Sequence, residues 1–255
     1  MKRIAIITGA TGGIGREFVR QVSGYELDEI WVIGRNEVKL KELSDTYGEK
    51  IVLVTTDLSE ISGIEKVERM LAEQKPEVRF LINNAGIAKM AACQTFSQEE
   101  MIRTIDVNCK APVLLCNLCI PYMKQGSNIL NIASASAFQP NPYINLYAAS
   151  KAFERNYSRA LNVELEGTGI TVTAVCPGWV DTELLPKELN GKKVKYPGIV
   201  TAERVVRTAL KDAEKKRDMS VCSLYVKCQH MNVKFMPQRL VMKIWTGAIK
   251  KYIRE

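Results

Sequence analysis

Tyr147-Ala148-Ala149-Ser150-Lys151 sets a phenol and an ammonium at i and i+4, and on a helix these share one face. A phenol titrates at about 10, too high for an efficient acid–base group at neutral pH. A neighbouring ammonium favours the phenolate, so the pair suits proton donation to a carbonyl or proton removal from an alcohol. The same spacing also occurs on helices that do no chemistry. A second candidate is Thr8-Gly9-Ala10-Thr11-Gly12-Gly13-Ile14-Gly15. Its glycines permit a tight turn and let backbone approach a pyrophosphate, while the helix that follows offers free N–H groups and a favourable dipole. The spacing is TGxxxGxG, and a glycine-rich turn that binds nothing is the plain alternative. A third is Ile33-Gly34-Arg35-Asn36. An acid at this point would bond a ribose 2′-hydroxyl, whereas an arginine accommodates a 2′-phosphate with its planar fork. Gly34 stands where the acid is expected and Arg35 follows it, which points to NADP(H).

These residues need a frame that brings them together. Ile4–Ile7, Ile30–Ile33, Ile51–Val54, Phe80–Ile82, Ile129–Ile132 and Val172–Val175 read as short buried strands, β-branched or flanked by Gly, Pro or Asn. Helix-length segments lie between them: Gly15–Val22, Val38–Thr46, Ser59–Glu73, Gln98–Met123 and Tyr147–Glu166. Strands that are apolar throughout, alternating with helices, predict an α/β fold: a doubly wound parallel sheet covered on both faces. Ligands of such folds bind beyond the C-terminal strand ends. That rule selects Thr8–Gly15, Gly34-Arg35, Asp57, Asn83–Gly86, Ser134 and Pro177-Gly178. One domain is expected, with residues 1–218 as its dinucleotide-binding catalytic part and 219–255 as a basic, amphipathic helical extension.

Composition narrows the chemistry. His230 is the only histidine of 255 residues, which argues against a serine hydrolase with a histidine base and against a histidine-rich zinc site. No metal site is expected. Seven cysteines, an odd number without an export signal, predict free thiols and a cytoplasmic location. Cys116-Asn117-Leu118-Cys119 lies in an apolar helical stretch and reads as helix packing. The net charge of +8 is local: Thr201–Glu255 holds 13 basic and 5 acidic residues, and the first 200 residues are neutral. No nucleic-acid-binding module accompanies it, so no nucleic-acid partner is expected.

Several motifs in order, TGATGGIG at 8–15, Asp57-Leu58, Asn83-Asn84-Ala85-Gly86, Asn108, Ser134, Tyr147 with Lys151, and Pro177-Gly178, resemble the short-chain dehydrogenases/reductases over residues 3–217. Ser134 precedes Tyr147 by 13 positions, the family's usual interval. The resemblance implies an NADP(H)-dependent oxidoreductase with Asn108, Ser134, Tyr147 and Lys151 as its catalytic set. Tyr147 would be the acid–base. Lys151 would favour its ionised form and hold the nicotinamide ribose. Ser134 would bond the substrate oxygen, and Asn108 would kink its helix and hold a relay water. Cofactor contacts would come from Gly9, Thr11, Gly12, Gly13, Ile14, Gly15, Arg35, Asn36, Asp57, Leu58, Asn84, Ala85, Gly86, Pro177, Gly178, Val180 and Thr182, besides Tyr147 and Lys151. Asn83 bracing strand ends, and Asp57 capping the next helix, are the structural alternatives. A dinucleotide-binding regulator without chemistry has no need of the four-residue set. Epimerases and dehydratases that share Tyr-x-x-x-Lys are usually longer and carry TGxxGxxG.

The partner expected is a small carbonyl or alcohol substrate. Phe138, Tyr143, Trp179, Leu184 and Leu185, with lysines beyond, suit an apolar pocket with a basic rim, for a lipid-, steroid- or acyl-like molecule. In the family that the chain resembles, the helices matching Gln98–Met123 and Tyr147–Glu166 commonly pair between subunits, so the resemblance implies a homodimer. In the tail, Leu240, Val241, Ile244, Trp245, Ala248, Ile249 and Tyr252 share one helical face, opposite Arg239, Lys243, Lys250 and Arg254. Coverage of this face by protein is favoured over contact with an anionic membrane through 237–255.

Overall fold

A computed structural model describes residues 1–250 except 184, 186, 190 and 191. Leu184, Tyr252 and Arg254, named in the sequence expectations, lie outside the described residues. Seven parallel strands form the main sheet. They are β1 (Arg3–Thr8), β2 (Glu29–Gly34), β3 (Ile51–Thr55), β4 (Glu77–Asn83), β5 (Asn128–Ile132), β6 (Thr171–Val175) and β7 (Met219–Ser220), in the spatial order β7-β6-β5-β4-β1-β2-β3. The first six contain every strand expected from the sequence. Alternate β1 residues show why the strands are apolar throughout: Ala5 and Ile7 enter one core and Ile4 and Ile6 the other.

The first core is closed by α1 (Gly13–Val22), α2 (Glu37–Tyr47) and α7 (Ala202–Glu214); the second takes α3 (Ile61–Gln74), α5 (Ala111–Cys119) and α6 (Asn145–Glu164). The chain runs outward from β1 to β3, then returns to lay β4 on the other side of β1. The loops after β1 and β4 therefore meet at the topological switch point. Cys116 and Cys119 are fully buried free thiols in the second core, as the helix-packing reading expects.

Two differences from the sequence expectation have physical reasons. The segment expected as one helix from Gln98 to Met123 is α4 (Gln98–Ile105), a π-helical turn at Asp106–Lys110, α5 and a 3-10 turn. The π turn interrupts the α-helical hydrogen bonding and carries Asn108. The segment expected as a helical extension from 219 begins instead with β7, whose neighbours close the ladder through Ala174 N to Asp218 O at 2.9 Å and Cys176 N to Ser220 O at 2.8 Å. Two residues carry no periodic signal, so this strand is invisible in sequence. Beyond it come α8 (Leu224–Phe235) and α9 (Gln238–Ile249). The tail's apolar face divides: Val241 and Ile249 are buried, while Leu240 and Ile244 are exposed. No helix among the described residues is long and apolar enough to cross a membrane.

Candidate active site

At the switch point the β1 loop is held open by the strand-end asparagine. Gly9 has φ of 61°, and a Cβ there would sit 2.9 Å from Ala85 Cα, so only glycine suits both the turn and the contact. Asn84 Nδ2 donates to Thr8 O at 3.1 Å and Gly9 O at 2.9 Å, and the Asn84 and Ala85 amides each donate to Thr8 Oγ1 at 2.9 Å. The Asn84 side chain thus braces the loop. Asn83 braces too, donating to Asn131 Oδ1 at 2.8 Å. A Cβ on Gly13 would lie 2.6 Å from Thr182 Cγ2, which places Thr182 over the loop. No side chain caps α1 and no acid occupies its first turn. Its N-terminal amides and dipole therefore face the loop without a competing anion.

Arg35 leaves the end of β2 with 63% of its side chain exposed, 4.0 Å from Asp57 Oδ2. Asp57 also pairs with Arg103 and accepts from Ser59 N at 3.0 Å and Ser59 Oγ at 2.8 Å. Burial alone would raise the Asp57 carboxyl, but the Ser59 bonds and the two arginines outweigh it and hold the group below the usual carboxylate range. Three residues expected at the cofactor have structural occupations here. Asn36 caps α2 by accepting from Lys39 N at 3.0 Å, and Leu58 and Val180 are buried in the two cores.

The residues that the sequence singles out for proton transfer converge on the neighbouring strand ends. Asn108 is fully buried; its Nδ2 donates to Ile87 O at 2.9 Å and Ser150 Oγ at 3.0 Å, and its Oδ1 accepts from Ile87 N at 2.8 Å. Ser150 in turn donates to Tyr147 O at 2.8 Å, linking the π turn to the start of α6. Lys151 is buried, with Nζ 5.8 Å from the centre of the Tyr147 ring and donating to Ile132 O at 2.6 Å. A Cβ on Gly86 would lie 3.4 Å from Lys151 Nζ and 3.6 Å from Asn108 Oδ1, so all four elements meet at one point. Ser134 follows β5 and caps the short 3-10 turn Ala135–Phe138 by accepting from Ser136 N at 3.1 Å. The Ala135 amide donates to Pro177 O at 2.8 Å, which ties the Ser134 loop to Pro177-Gly178.

An aromatic wall closes the far side. The Trp179 ring lies tilted against Tyr196 at 4.9 Å and stacked parallel to Trp245 at 6.4 Å between ring centres. Trp245 Nε1 donates to Pro142 O at 3.0 Å. Phe138 lies 4.0 Å from the His230 ring, and Val226 packs where a Gly178 side chain would be. Thus α8 and α9 cover the loops that carry the site, and protein covers the Val241, Trp245 and Ile249 side of the tail. Among the described residues no group of three or more His, Cys, Asp or Glu is placed to hold a metal ion.

One residue of the site was missed by sequence reasoning. Glu154, 1% exposed, lies one turn after Lys151, with Oε2 2.7 Å from Lys151 Nζ. The i, i+3 spacing of the two was the available signal.

Comparisons with known proteins agree with this geometry. The family model described as short chain dehydrogenase matches residues 3–193. An uncharacterized oxidoreductase of Staphylococcus epidermidis is 30% identical over 207 residues, 80% of this chain and 90% of that protein. The NADP-dependent 3-hydroxy acid dehydrogenase YdfG of Escherichia coli is 33% identical over 184 residues, 69% of this chain and 72% of that protein. A short-chain dehydrogenase from Sphingobium yanoikuyae, solved in complex with NADPH, is 27% identical with a TM-score of 0.78, covering 94% of this chain and 95% of that one.

Proposed function

The chain belongs to the short-chain dehydrogenase family, and on that premise we propose that it moves a hydride between NADP(H) and a carbonyl/secondary-alcohol pair, with Tyr147 as the acid–base. The observation that carries this reading is the meeting of Gly86, Asn108, Tyr147 and Lys151 at the C-terminal strand ends. When bound, the nicotinamide supplies or accepts the hydride. The glycine loop and the uncapped end of α1 would hold the pyrophosphate, and Arg35 would take the 2′-phosphate. Asp57 and the Asn84–Gly86 backbone would face the adenosine side, and Pro177, Gly178 and Thr182 the nicotinamide side. Tyr147 gives its proton to the substrate oxygen as negative charge develops there, and Ser134 bonds the same oxygen. Lys151 stabilises the charge left on the Tyr147 oxygen. Asn108 and Ser150 fix the start of α6 relative to Gly86 and Ile87. The wall of Trp179, Trp245 and Phe138 suits an apolar substrate, lipid-, steroid- or acyl-like. The NADP-dependent relative and the NADPH-bound neighbour support the same choice of cofactor.

The test is a panel of ketones and alcohols followed by nicotinamide absorbance with both cofactors, beside fluorescence titrations of NADPH and NADH. Arg35→Ala is expected to weaken NADPH about tenfold or more, the value of one charge-assisted contact, and to leave NADH nearly unchanged. Tighter binding of NADH by the unaltered chain would refute the 2′-phosphate assignment.

A homodimer belongs to the same proposal. Ile102 and Ile105 of α4, with Phe153 and Val163 of α6, are exposed apolar residues on the long helices. Light scattering at micromolar concentration is expected to give twice the chain mass; a stable monomer would refute it.

A further inference from the structure

The Lys151–Glu154 pair is the one buried ion pair of the site, with the two side chains 5% and 1% exposed. Removing two charges from water is costly, and an apolar pair of similar size is often no less stable, so a buried ion pair is a weak device for stability. Its position suggests a different use. Two of the three ammonium donors of Lys151 are committed, one to Ile132 O at 2.6 Å and one to Glu154 Oε2 at 2.7 Å. The third is left for the side where Gly86 lies.

Among the described residues the surroundings of Glu154 supply no other cation. On its own helix it faces Lys151, with Tyr147 one turn further on. The π turn contributes the Cys109 thiol, α5 the Cys116 thiol and the end of β6 the Cys176 thiol. Burial pushes these thiols up to about 11, 12 and 12, so all three are neutral at ordinary pH. Ser158 bonds the Glu154 carbonyl, not its carboxylate. Burial acts to lower Lys151; the charge and hydrogen bond of Glu154, with a contribution from Tyr147, outweigh it and hold the ammonium above its ordinary range. Burial also raises the Glu154 carboxyl, to about 7.

Resting on the reading of Tyr147 as acid–base and Lys151 as its electrostatic partner, we propose that Glu154 is a positioning residue of the reaction: its buried carboxylate keeps Lys151 charged and fixed against the Ile132 carbonyl, with one N–H turned to the cleft. Without that counter-charge the buried lysine becomes neutral as pH rises, and the charge that assists Tyr147 disappears.

The test uses the full chain labelled at lysine Cε, with the Lys151 resonance assigned by its loss in Lys151→Met. In the unaltered protein Lys151 is expected to hold its proton above the ordinary lysine range; in Glu154→Gln its titration is expected to move to markedly lower pH. For a ketone that the panel shows to be reduced, kcat of Glu154→Gln is expected to fall about tenfold or more as pH rises through the lowered Lys151 titration and to recover as pH falls. The KM for the ketone should move less than about twofold, because the substrate contacts are untouched. A Lys151 titration and a pH profile unchanged in Glu154→Gln would overturn the inference, as would a loss of thermal stability alone. Should Glu154→Gln fail to fold, Glu154→Asp decides: its carboxylate retreats by one methylene, so Lys151 is expected to titrate at lower pH than in the unaltered protein, and an unchanged titration overturns the inference. Tyr147→Phe, assayed in parallel, separates the two levels. Full turnover in that variant refutes the underlying reading, whereas its loss beside a normal Glu154→Gln refutes only the role of Glu154.

Discussion

Tyr147→Phe is expected to lower turnover by a factor of about 10²–10⁴, the usual contribution of a positioned acid–base group, while NADPH still binds. The change deletes one oxygen and keeps the ring that packs near Lys151. The local hydrogen bonds survive, because Ser150 bonds the Tyr147 main-chain carbonyl and not the phenol. Asn108 therefore keeps its link to α6 through Ser150. The expected signature is a fall in kcat with an unchanged NADPH titration by fluorescence. A variant that retains near-normal turnover on a confirmed substrate would remove Tyr147 from the chemistry, and a variant that loses NADPH affinity in step with kcat would point to cofactor binding as its main role.

The second large effect is on stability as well as rate. Lys151→Ala leaves Glu154 buried without the one ionic partner it has among the described residues. Breaking a buried pair by removing one side costs about 3 kcal/mol or more, because the remaining charge must be desolvated or neutralised. Here neutralisation is available, since burial already raises the Glu154 carboxyl to about 7 and loss of the Lys151 cation raises it further. An acid whose folded value lies above its unfolded one is protonated in the native state first, so the native state binds the extra proton. The penalty is therefore absent below the unfolded carboxylate value of about 4.3, and it grows as pH rises through the interval up to the raised folded value. Urea unfolding of Lys151→Ala is expected to show a constant loss from the buried stem and the bond to Ile132 O, and a further loss that is absent near about pH 4 and grows progressively towards about pH 8. A pH-independent difference would show that Glu154 is not left charged in the interior. Turnover should fall with it at every pH, because the charge that assists Tyr147 is gone.

Much of this was legible in the sequence because the signals were local. Six strands declared themselves as short β-branched runs between turn residues, and their termini indicated where Thr8–Gly15, Asn83–Gly86, Ser134 and Pro177-Gly178 would sit. The Tyr147–Lys151 spacing placed both on one face of α6 before any coordinates did. What escaped depends on contacts that are distant in the chain or have no period. The two residues of β7 become a strand only because β6 offers an open edge. Asn36 and Asn84 were expected at the cofactor, and the sequence did not show that their side chains cap α2 and brace the β1 loop, since a strand-end asparagine finds unpaired backbone groups within reach. The tail's apolar face gave no sign that Trp245 would turn to Pro142 and Trp179 while Ile244 stayed exposed. Glu154 was visible as an acid three residues after Lys151, but its burial, which gives it meaning, belongs to the packed structure.

The central claim is hydride transfer between a nicotinamide and a substrate carbon, and isotope tracing addresses it most directly. The full chain would be incubated with ketones and NADPH carrying deuterium at the transferable position of C4, and the products read by mass spectrometry. The account predicts an alcohol with one deuterium on the carbinol carbon, formed by the unaltered chain and almost absent with Tyr147→Phe. An alcohol whose new carbon-bound hydrogen comes from solvent would contradict it, as would a chain that binds NADPH, carries an intact Tyr147 and Lys151, and transfers deuterium to no ketone or aldehyde across the panel.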